Sequence, residues 1–253
     1  MYKVLISDFE DVLIDKEDAI PLSTMLALDK VRGDKVAFGV TSTRGFQNVL
    51  DYNRDFPFID YIILFDGAYF YDVNRKKTIV DQKISLTTTK RINKICSDYN
   101  ICFYTLDYCN CTKDLLPIES ARLIGDFKVF SEFHKDSIYK IEIICSKKNQ
   151  GSLIDELKKI KDIMIVSLTD RIVIQKDGTG LVPSMKEFLE SKKLKMNQVI
   201  VLGKDEYNMA LFQEDCFAIA VEDASLKLRR VADEVTDSSN GNPIETVISK
   251  YFQ

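Results

Sequence analysis

The chain alternates short apolar segments with helix-like patterns, and each of these segments ends in a polar turn. Residues 3–7 (KVLIS) are followed by the acidic cluster Asp8-Phe9-Glu10-Asp11, and residues 35–40 lead into Thr41-Ser42-Thr43-Arg44. Between them, apolar residues recur at helical spacing from about residue 21 to residue 31. Buried strands that alternate with helices are typical of a parallel sheet with right-handed crossovers. The pattern therefore predicts an α/β protein built on a doubly wound parallel sheet.

Two parts of the chain share this pattern, and the part between them differs. The alternation stops near residue 83 and returns near residue 178. Between these points the order of predicted elements is rich in hairpins, which favours a mixed α+β unit. We predict a core domain of residues 1–82 and 178–253, with an α+β domain of residues 83–177 inserted in it. Within the insert, the predicted helices are 87–99 and 151–160, and the predicted strands are 101–106, 137–145, 163–167 and 171–175.

Composition narrows the class of protein. With 253 residues and 45% hydrophobic side chains the chain can bury a sizeable core, and a formal net charge of −4 does not suit nucleic-acid binding. The first apolar segment is too short, and too soon followed by charge, to be a signal peptide. No stretch approaches the roughly 18 apolar residues of a membrane span. We therefore expect a cytoplasmic protein without nucleic acid or membrane as a partner.

Six cysteines are spread along the sequence without a CxxC pair. In a reducing compartment such residues are expected to be buried as small hydrophobic side chains. A metal site at Cys109-Asn110-Cys111 with His134, the only histidine, is an alternative. It lacks two further suitably spaced ligands. The sequence therefore favours buried cysteines over a metal centre.

Three polar turns that follow predicted strands carry groups suited to phosphate chemistry: Asp8-Phe9-Glu10, Thr41-Ser42-Thr43-Arg44 and Gly203-Lys204-Asp205-Glu206. In open α/β sheets, ligands bind beyond the carboxyl ends of the strands, so turns that are distant in sequence converge there. Phosphoryl transfer through an aspartyl intermediate requires a carboxylate nucleophile, an acid/base, donors for the phosphate and cations. Asp8, Glu10 and Ser42 offer the first three.

The order and spacing of several motifs resemble the Cof-type branch of the haloacid dehalogenase (HAD) superfamily over nearly the whole chain. The family's DxDGT, ATGR, NGA and GDxxND motifs are matched by residues 8–12, 41–44, 66–68 and 203–208, and residues 220–224 and 232–237 are similar to its VAMGNA and AdyVT stretches. The resemblance implies a HAD-like, Rossmann-type core with an inserted Cof-type cap. It also implies Mg²⁺-dependent hydrolysis of a small phosphorylated metabolite, such as a sugar phosphate.

The resemblance also assigns roles to individual residues. It places Asp8 at the nucleophile and Glu10 at the acid/base that protonates the leaving group. If a metal is bound, its ligands are expected to include Asp8, Glu10 and Asp205. The phosphate-binding positions are Ser42, Thr43 and Arg44, although Ser42 and Arg44 could instead cap the following helix.

Several motif positions depart from the family pattern. Glu10 replaces an aspartate and is longer by one methylene, which could misplace proton transfer. Leu181 stands where the family has its phosphate-binding lysine, and Lys204 and Asn208 stand where it has metal-binding aspartates. An ammonium group repels Mg²⁺. We therefore expect catalysis to be weak or lost, with the Lys204 ammonium in the place of the metal and held by Asp8 and possibly Glu10.

Two alternatives remain open at this stage. The protein could be an active Mg²⁺-dependent phosphomonoesterase in which Lys176 or Lys186 replaces the lost lysine and Asp205 replaces the lost aspartate. It could also be a non-catalytic protein that binds a ligand or a partner. The sequence does not name the substrate or the oligomeric state.

Overall fold

The computed structural model describes residues 1–15, 17–32, 36–54, 57–113, 121–204, 206–236 and 242–252. Numbered along the chain, the strands in these ranges are β1 Val4–Asp8, β2 Ala37–Ser42, β3 Tyr61–Leu64, β4 Tyr69–Asp72, β5 Lys77–Asp81, β6 Asn100–Tyr104, β7 Cys109–Cys111, β8 Ala121–Leu123, β9 Lys140–Ile144, β10 Ile163–Ser167, β11 Arg171–Lys176, β12 Val199–Gly203, β13 Phe217–Ala220 and β14 Glu234–Val235. The helices are α1 Leu22–Arg32, α2 Phe46–Tyr52, α3 Leu86–Ile95, α4 Phe127–Phe133, α5 Gln150–Leu157, α6 Leu181–Lys192, α7 Met209–Phe212, α8 Leu226–Val231 and α9 Pro243–Tyr251.

The larger sheet has eight strands in the order β14-β13-β12-β1-β2-β3-β4-β5. From β14 to β3 every neighbouring pair is parallel, and β4 pairs antiparallel with β3. All residues of β1 and β12 are buried, as expected for parallel strands covered on both faces. The chain extends the sheet from β1 through β2 and β3, then returns to the other side of β1 with β12. The carboxyl ends of β1 and β12 therefore lie at a topological switch point, where open α/β sheets bind ligands.

The smaller sheet has six strands in the order β10-β11-β9-β6-β7-β8. One face is apolar, because alternate residues of β6, β9 and β11 (Ile101, Phe103, Ile141, Ile143, Ile172 and Ile174) are buried in one hydrophobic cluster. Helices α3 and α5 add Ile92, Leu153 and Leu157 to this cluster. The residues between the apolar ones point to the opposite face and include Lys140 and Glu142, which are buried.

The predicted fold class, a doubly wound parallel sheet with a separate α+β part, is confirmed. Every described strand after β5 and before β12 belongs to the smaller sheet. The chain divides into two compact units, one of Met1–Arg44, Asn48–Val80 and Gly180–Gln253 and the other of Gly45–Gln47 and Asp81–Thr179. The domain limits of 1–82, 83–177 and 178–253 themselves stay a prediction.

Sequence patterns missed several short elements. Strands β5, β7 and β8 and helix α4 were not predicted, and β7 and β8 have only three residues each, too few for a clear periodicity. The predicted strand 137–145 begins only at Lys140, and the predicted helix 87–99 ends at Ile95. In the ranges that the structure describes, each helix is either too short or too polar to cross a lipid bilayer.

A tight turn after β3 positions the start of α6. Gly67 has a φ of +91° and packs so closely on Gly180 that a Cβ atom would lie 2.5 Å from the Gly180 carbonyl oxygen. Ser184 Oγ donates a hydrogen bond of 2.6 Å to the Gly67 carbonyl, which fixes the same contact from the first turn of the helix. The backbone at Gly67 therefore sets where Leu181 begins the helix.

We predict that Gly67→Ala destabilises the protein more than Gly178→Ala. Both glycines have a positive φ, which strains an alanine by about 1–3 kcal/mol. Only Gly67 adds a steric clash, worth about 1–3 kcal/mol more, because a Cβ at Gly178 meets nothing within 4 Å. Urea unfolding of both variants measures the difference. Equal losses of unfolding free energy would show that the turn can relax away from Gly180.

Candidate functional site

The Asp8 carboxylate lies at the carboxyl end of β1, and groups from neighbouring segments surround it. Register places Thr41 of β2 beside Asp8, and the Thr41 hydroxyl donates a 3.0 Å hydrogen bond to Asp8 Oδ1. The main-chain N–H of Lys204, directly after β12, donates to Oδ2 at 2.8 Å. Asn208 Nδ2 donates to Oδ1 at 2.5 Å. Parallel alignment of three adjacent strands thus brings these donors to one buried carboxylate.

The Glu10 carboxylate accepts hydrogen bonds from residues at the end of β2 and directly after it. Its Oε1 atom accepts a 2.6 Å hydrogen bond from the Ser42 hydroxyl and a 3.3 Å bond from the main-chain N–H of Thr43. The Thr43 hydroxyl lies 3.4 Å from the same oxygen, and Arg44 Nε lies 3.7 Å from it. The prediction that Ser42, Thr43 and Arg44 form a phosphate site is untested, but the three do gather around one anionic oxygen.

Arg44 directs most of its guanidinium elsewhere. Its Nη2 and Nη1 atoms form a two-pronged contact with the Asp18 carboxylate, at 2.5 Å and 3.1 Å. The hydrogen bond to Asp18 raises the pKa of Arg44, and the same bond lowers the pKa of Asp18. Arg44 can therefore present only its Nε side towards Glu10.

The prediction that Asp8 and possibly Glu10 hold the Lys204 ammonium was wrong. In the part of the chain that the structure describes, Lys204 Nζ pairs with Asp223 at 2.9 Å and with Asp11 at 3.6 Å. The main-chain N–H of Lys204 is the group that reaches Asp8. A left-handed backbone at Asp11, with a φ of 58°, accompanies the turn that brings Asp11 close to the ammonium.

Lys204 stays protonated in this position. Partial burial by itself lowers the pKa of an ammonium group. The hydrogen bond to Asp223 and the negative charges of Asp11 and Asp223 outweigh burial and raise the pKa of Lys204 above its ordinary value. A full positive charge is therefore fixed beside the turn that carries Glu10.

Tyr207 also belongs to the site, although no motif in the sequence predicts a role for it. It stands at the asparagine position of the GDxxND-like motif, and its hydroxyl accepts a 2.6 Å hydrogen bond from the main-chain N–H of Asp66. Burial, together with the charges of Asp66, Glu10 and Asp8, raises the pKa of Tyr207 well above its usual range. The phenol is therefore protonated and holds the turn after β3 at the site.

The remaining motif residues lie in different places. Leu181 is buried at the start of α6, where it supplies no charge. Lys186 extends to Glu214, with a distance of 2.9 Å between Nζ and the carboxylate, so its assignment as a substitute for the lost lysine is not supported. Lys176 is exposed at the end of β11 in the second unit. Asp205, the third expected metal ligand, lies outside the described residues.

The described residues do not fit Mg²⁺. Magnesium requires oxygen ligands in near-octahedral order. Asp8 Oδ1 and Oδ2 instead face three hydrogen-bond donors, and Asn208 turns its NH₂ group, not its carbonyl oxygen, towards Asp8. The Asn208 Oδ1 atom is buried and has no hydrogen-bond partner in the described parts of the chain. A flipped amide would place two oxygens against each other, so the donor orientation is the stable one.

A parallel α/β core with carboxylates at the switch point and an inserted α+β unit agrees with the architecture that the resemblance to HAD-like hydrolases implies. The chain belongs to the haloacid dehalogenase-like hydrolase family, whose model matches residues 5–248.

Individual relatives are distant in sequence. A Haemophilus influenzae protein with the provisional name of phosphatase is 21% identical over 264 residues, which span 100% of this chain and 99% of that protein. Among solved structures, a HAD-superfamily phosphatase of Bacteroides thetaiotaomicron superimposes with a TM-score of 0.81 at 16% identity, covering 98% of this chain and 94% of its own. A HAD subclass IIB sugar phosphatase gives a TM-score of 0.72 at 16% identity, with 96% and 95% coverage. At these identities, the solved structures establish the fold.

We predict that Asn208→Asp destabilises the protein at pH 7 more than Asn208→Ala does, and that the gap shrinks at pH 5. Both variants remove a donor from Asp8, a loss of about 1–3 kcal/mol. Only the aspartate adds a second carboxylate beside Oδ1, which raises the pKa of one of the two groups. The folded state then gains a proton that the unfolded state lacks, so stability recovers as pH falls through the raised pKa. Thermal unfolding at both pH values measures this, and a constant gap would contradict it.

Proposed function

We propose that this protein is a HAD-type phosphatase relative that binds a small phosphorylated metabolite and in which hydrolysis of the phosphate ester is weak or lost. One observation supports the proposal most: the acid/base carboxylate of Glu10 accepts the hydrogen bonds of Ser42 and Thr43, at 2.6 Å and 3.3 Å. These are the donors that the family resemblance assigns to the phosphate. The extra methylene of glutamate gives the carboxylate the reach to meet them.

Glu10 in this position acts as an internal anion. A hydroxyl, a main-chain N–H and a guanidinium nitrogen around one carboxylate oxygen form a donor set that equally suits a phosphate oxygen. A phosphorylated ligand must therefore displace Glu10 to use these donors. Displacement also removes Glu10 from any proton transfer that depends on its present position.

Lys204 acts as an internal cation. Its ammonium bridges Asp11 and Asp223, two carboxylates close to the turn that carries Glu10. An ammonium on a flexible stem can attract a phosphate but cannot bridge a nucleophile and a phosphoryl oxygen as a fixed divalent ion does. Leu181, in place of a lysine, adds no charge to compensate. Binding of a phosphorylated ligand is therefore better supported than its hydrolysis.

A working phosphatase is the second candidate, and the position of Asp8 favours it. The carboxylate is retained at the end of β1, at the switch point where HAD-like proteins would place a nucleophile, and relatives of this fold are named phosphatases. Activity would then depend on groups that replace the lost lysine and aspartates. The two candidates differ in whether turnover requires both Mg²⁺ and Asp8.

We predict no useful Mg²⁺-dependent turnover by the unmodified protein, and partial recovery at best in the combined variant Leu181→Lys, Lys204→Asp and Asn208→Asp. The three changes restore a cation for the phosphate and two oxygen ligands for the metal. Hydrolysis of a panel of small phosphate esters, with and without Mg²⁺, and calorimetric Mg²⁺ titrations measure the outcome. Asp8→Asn in both backgrounds is the control for nucleophile-dependent turnover.

One combination of results would contradict this prediction. Tight Mg²⁺ binding by the unmodified protein, abolished by Asp8→Asn and accompanied by Mg²⁺-dependent hydrolysis, would show that Lys204 and Asn208 do not block the site. The second candidate would then replace the first.

We predict that Glu10→Ala binds inorganic phosphate about tenfold more tightly than the unmodified protein, which corresponds to about 1.4 kcal/mol. The variant frees Ser42 and Thr43 from their internal acceptor and removes a negative charge. Glu17→Gln is the matched control, because Glu17 is exposed and its substitution also removes one charge. Calorimetric titration with inorganic phosphate measures all three proteins. Equal or weaker binding by Glu10→Ala would show that Glu10 does not compete with phosphate.

A further inference from the structure

Three of the six cysteines meet on one face of the smaller sheet. Strands β6 and β7 pair antiparallel, with Cys102 opposite Cys111 and Tyr104 opposite Cys109. Directly opposed residues share a face, and so do residues two apart on one strand. Cys102, Cys109 and Cys111 therefore point to the same side, where all three are buried. His134 is not part of this group, and its Nδ1 atom lies 3.2 Å from Ser137 Oγ.

The three sulfur atoms lie within bonding reach of a single ion. The Sγ atoms of Cys102 and Cys111 are 2.9 Å apart, those of Cys109 and Cys111 are 3.7 Å apart, and all three lie within 4.8 Å of one another. Sulfurs bound to one ion at about 2.3 Å are separated by roughly 3.7–4.0 Å. The Cys109–Cys111 distance already fits, and the Sγ atom of Cys102 must withdraw from that of Cys111 by about 1 Å.

The other cysteines show how a thiol packs in this protein when it is a small hydrophobic side chain. Cys145 Sγ donates to the Ile143 carbonyl at 3.5 Å, and Cys216 Sγ donates to the Leu211 carbonyl at 3.1 Å. In the cluster, Cys111 Sγ instead has two other sulfurs as its neighbours. The cluster is also separate from the hydrophobic core of the smaller sheet, because it packs with Tyr104, Ala121 and Ile144.

Cations lie on the same face of the sheet. Lys140 is opposite Tyr104, and its Nζ atom lies 4.5 Å from the centre of the Tyr104 ring. Glu142 is opposite Cys102 and is paired with both Lys140 and Arg171, at 3.0 Å each. The two cations, Lys140 and Arg171, are matched by the two carboxylates of Glu142 and Asp170, so these four side chains have no net charge.

We propose that Cys102, Cys109 and Cys111 form a three-thiolate site for one soft, thiophilic metal cation. Soft sulfur ligands select ions such as Cu⁺, Zn²⁺ and Cd²⁺ and do not suit Mg²⁺. The site is therefore chemically distinct from the Asp8 site, and it does not depend on the proposed function. The cation cross-links β6 and β7 through side chains on adjacent strands.

Cd²⁺ titration of the full-length, reduced protein under anaerobic conditions tests the site. The expected result is one Cd²⁺ per chain, with thiolate-to-metal charge-transfer absorption. Cys102→Ala and Cys111→Ala should each weaken binding by more than the roughly 10- to 100-fold that loss of an outer-sphere partner costs a metal site. Cys216→Ala is the matched control and should leave Cd²⁺ affinity unchanged, because Cys216 lies on the larger sheet's unit.

When the variants fold, two results overturn the proposal. The first is Cd²⁺ binding by the unmodified protein that is no tighter than binding by the Cys102→Ala, Cys111→Ala double variant. The second is a Cys102–Cys111 disulfide in the purified protein with no Cd²⁺ binding after reduction, which would make the pair a cross-link. If the variants fail to fold, the charge-transfer absorption of the unmodified protein decides the question. One equivalent of Cd²⁺ should give the absorption of three thiolate–Cd²⁺ bonds, and an intensity that corresponds to fewer than three overturns the site.

Discussion

The site depends on the carboxylate of Asp8, which accepts hydrogen bonds from other segments of the chain. Its donors come from Thr41 of β2 and from Lys204 and Asn208 after β12, so this side chain contacts two segments that are far from it and from each other in sequence. A buried carboxylate requires such donors, and each charge-assisted hydrogen bond is worth about 1.5–3 kcal/mol. The same bonds satisfy the negative charge that a divalent cation would otherwise satisfy. The same three hydrogen bonds to Asp8 therefore stabilise the fold and determine the chemistry of the site.

Around the Asp8 carboxylate, charges are balanced by side chains of the protein itself. Glu10 stands among donors that suit an anion, and Lys204 stands between two carboxylates that suit a cation. The sulfur cluster of the smaller sheet follows a different chemistry. It offers polarisable sulfur ligands within the unit of the smaller sheet.

The sequence predicts which strand ends meet at the site better than it predicts which side chains pair there. Strand ends can be read from apolar runs that stop at polar turns, so the meeting of Asp8, Thr41 and the Lys204 turn follows from parallel pairing alone. The partner of the Lys204 ammonium could not be predicted, because the choice between Asp8 and the pair Asp11 and Asp223 depends on a left-handed residue in one turn. Cys102 was missed for a similar reason. Its position opposite Cys111 is a matter of hairpin register, and β7 has only three residues from which to read it.

The ends of the larger sheet also have a consequence for how copies of this chain behave in solution. An edge strand offers unpaired main-chain groups, to which a strand of another molecule can add. Here one edge strand, β14, has only two residues, and the other, β5, carries exposed Lys77 and Asp81 at its two ends. A short edge and a charged edge both discourage intermolecular β-sheet growth. The sheet can therefore keep a long, continuously apolar centre without becoming a template for aggregation.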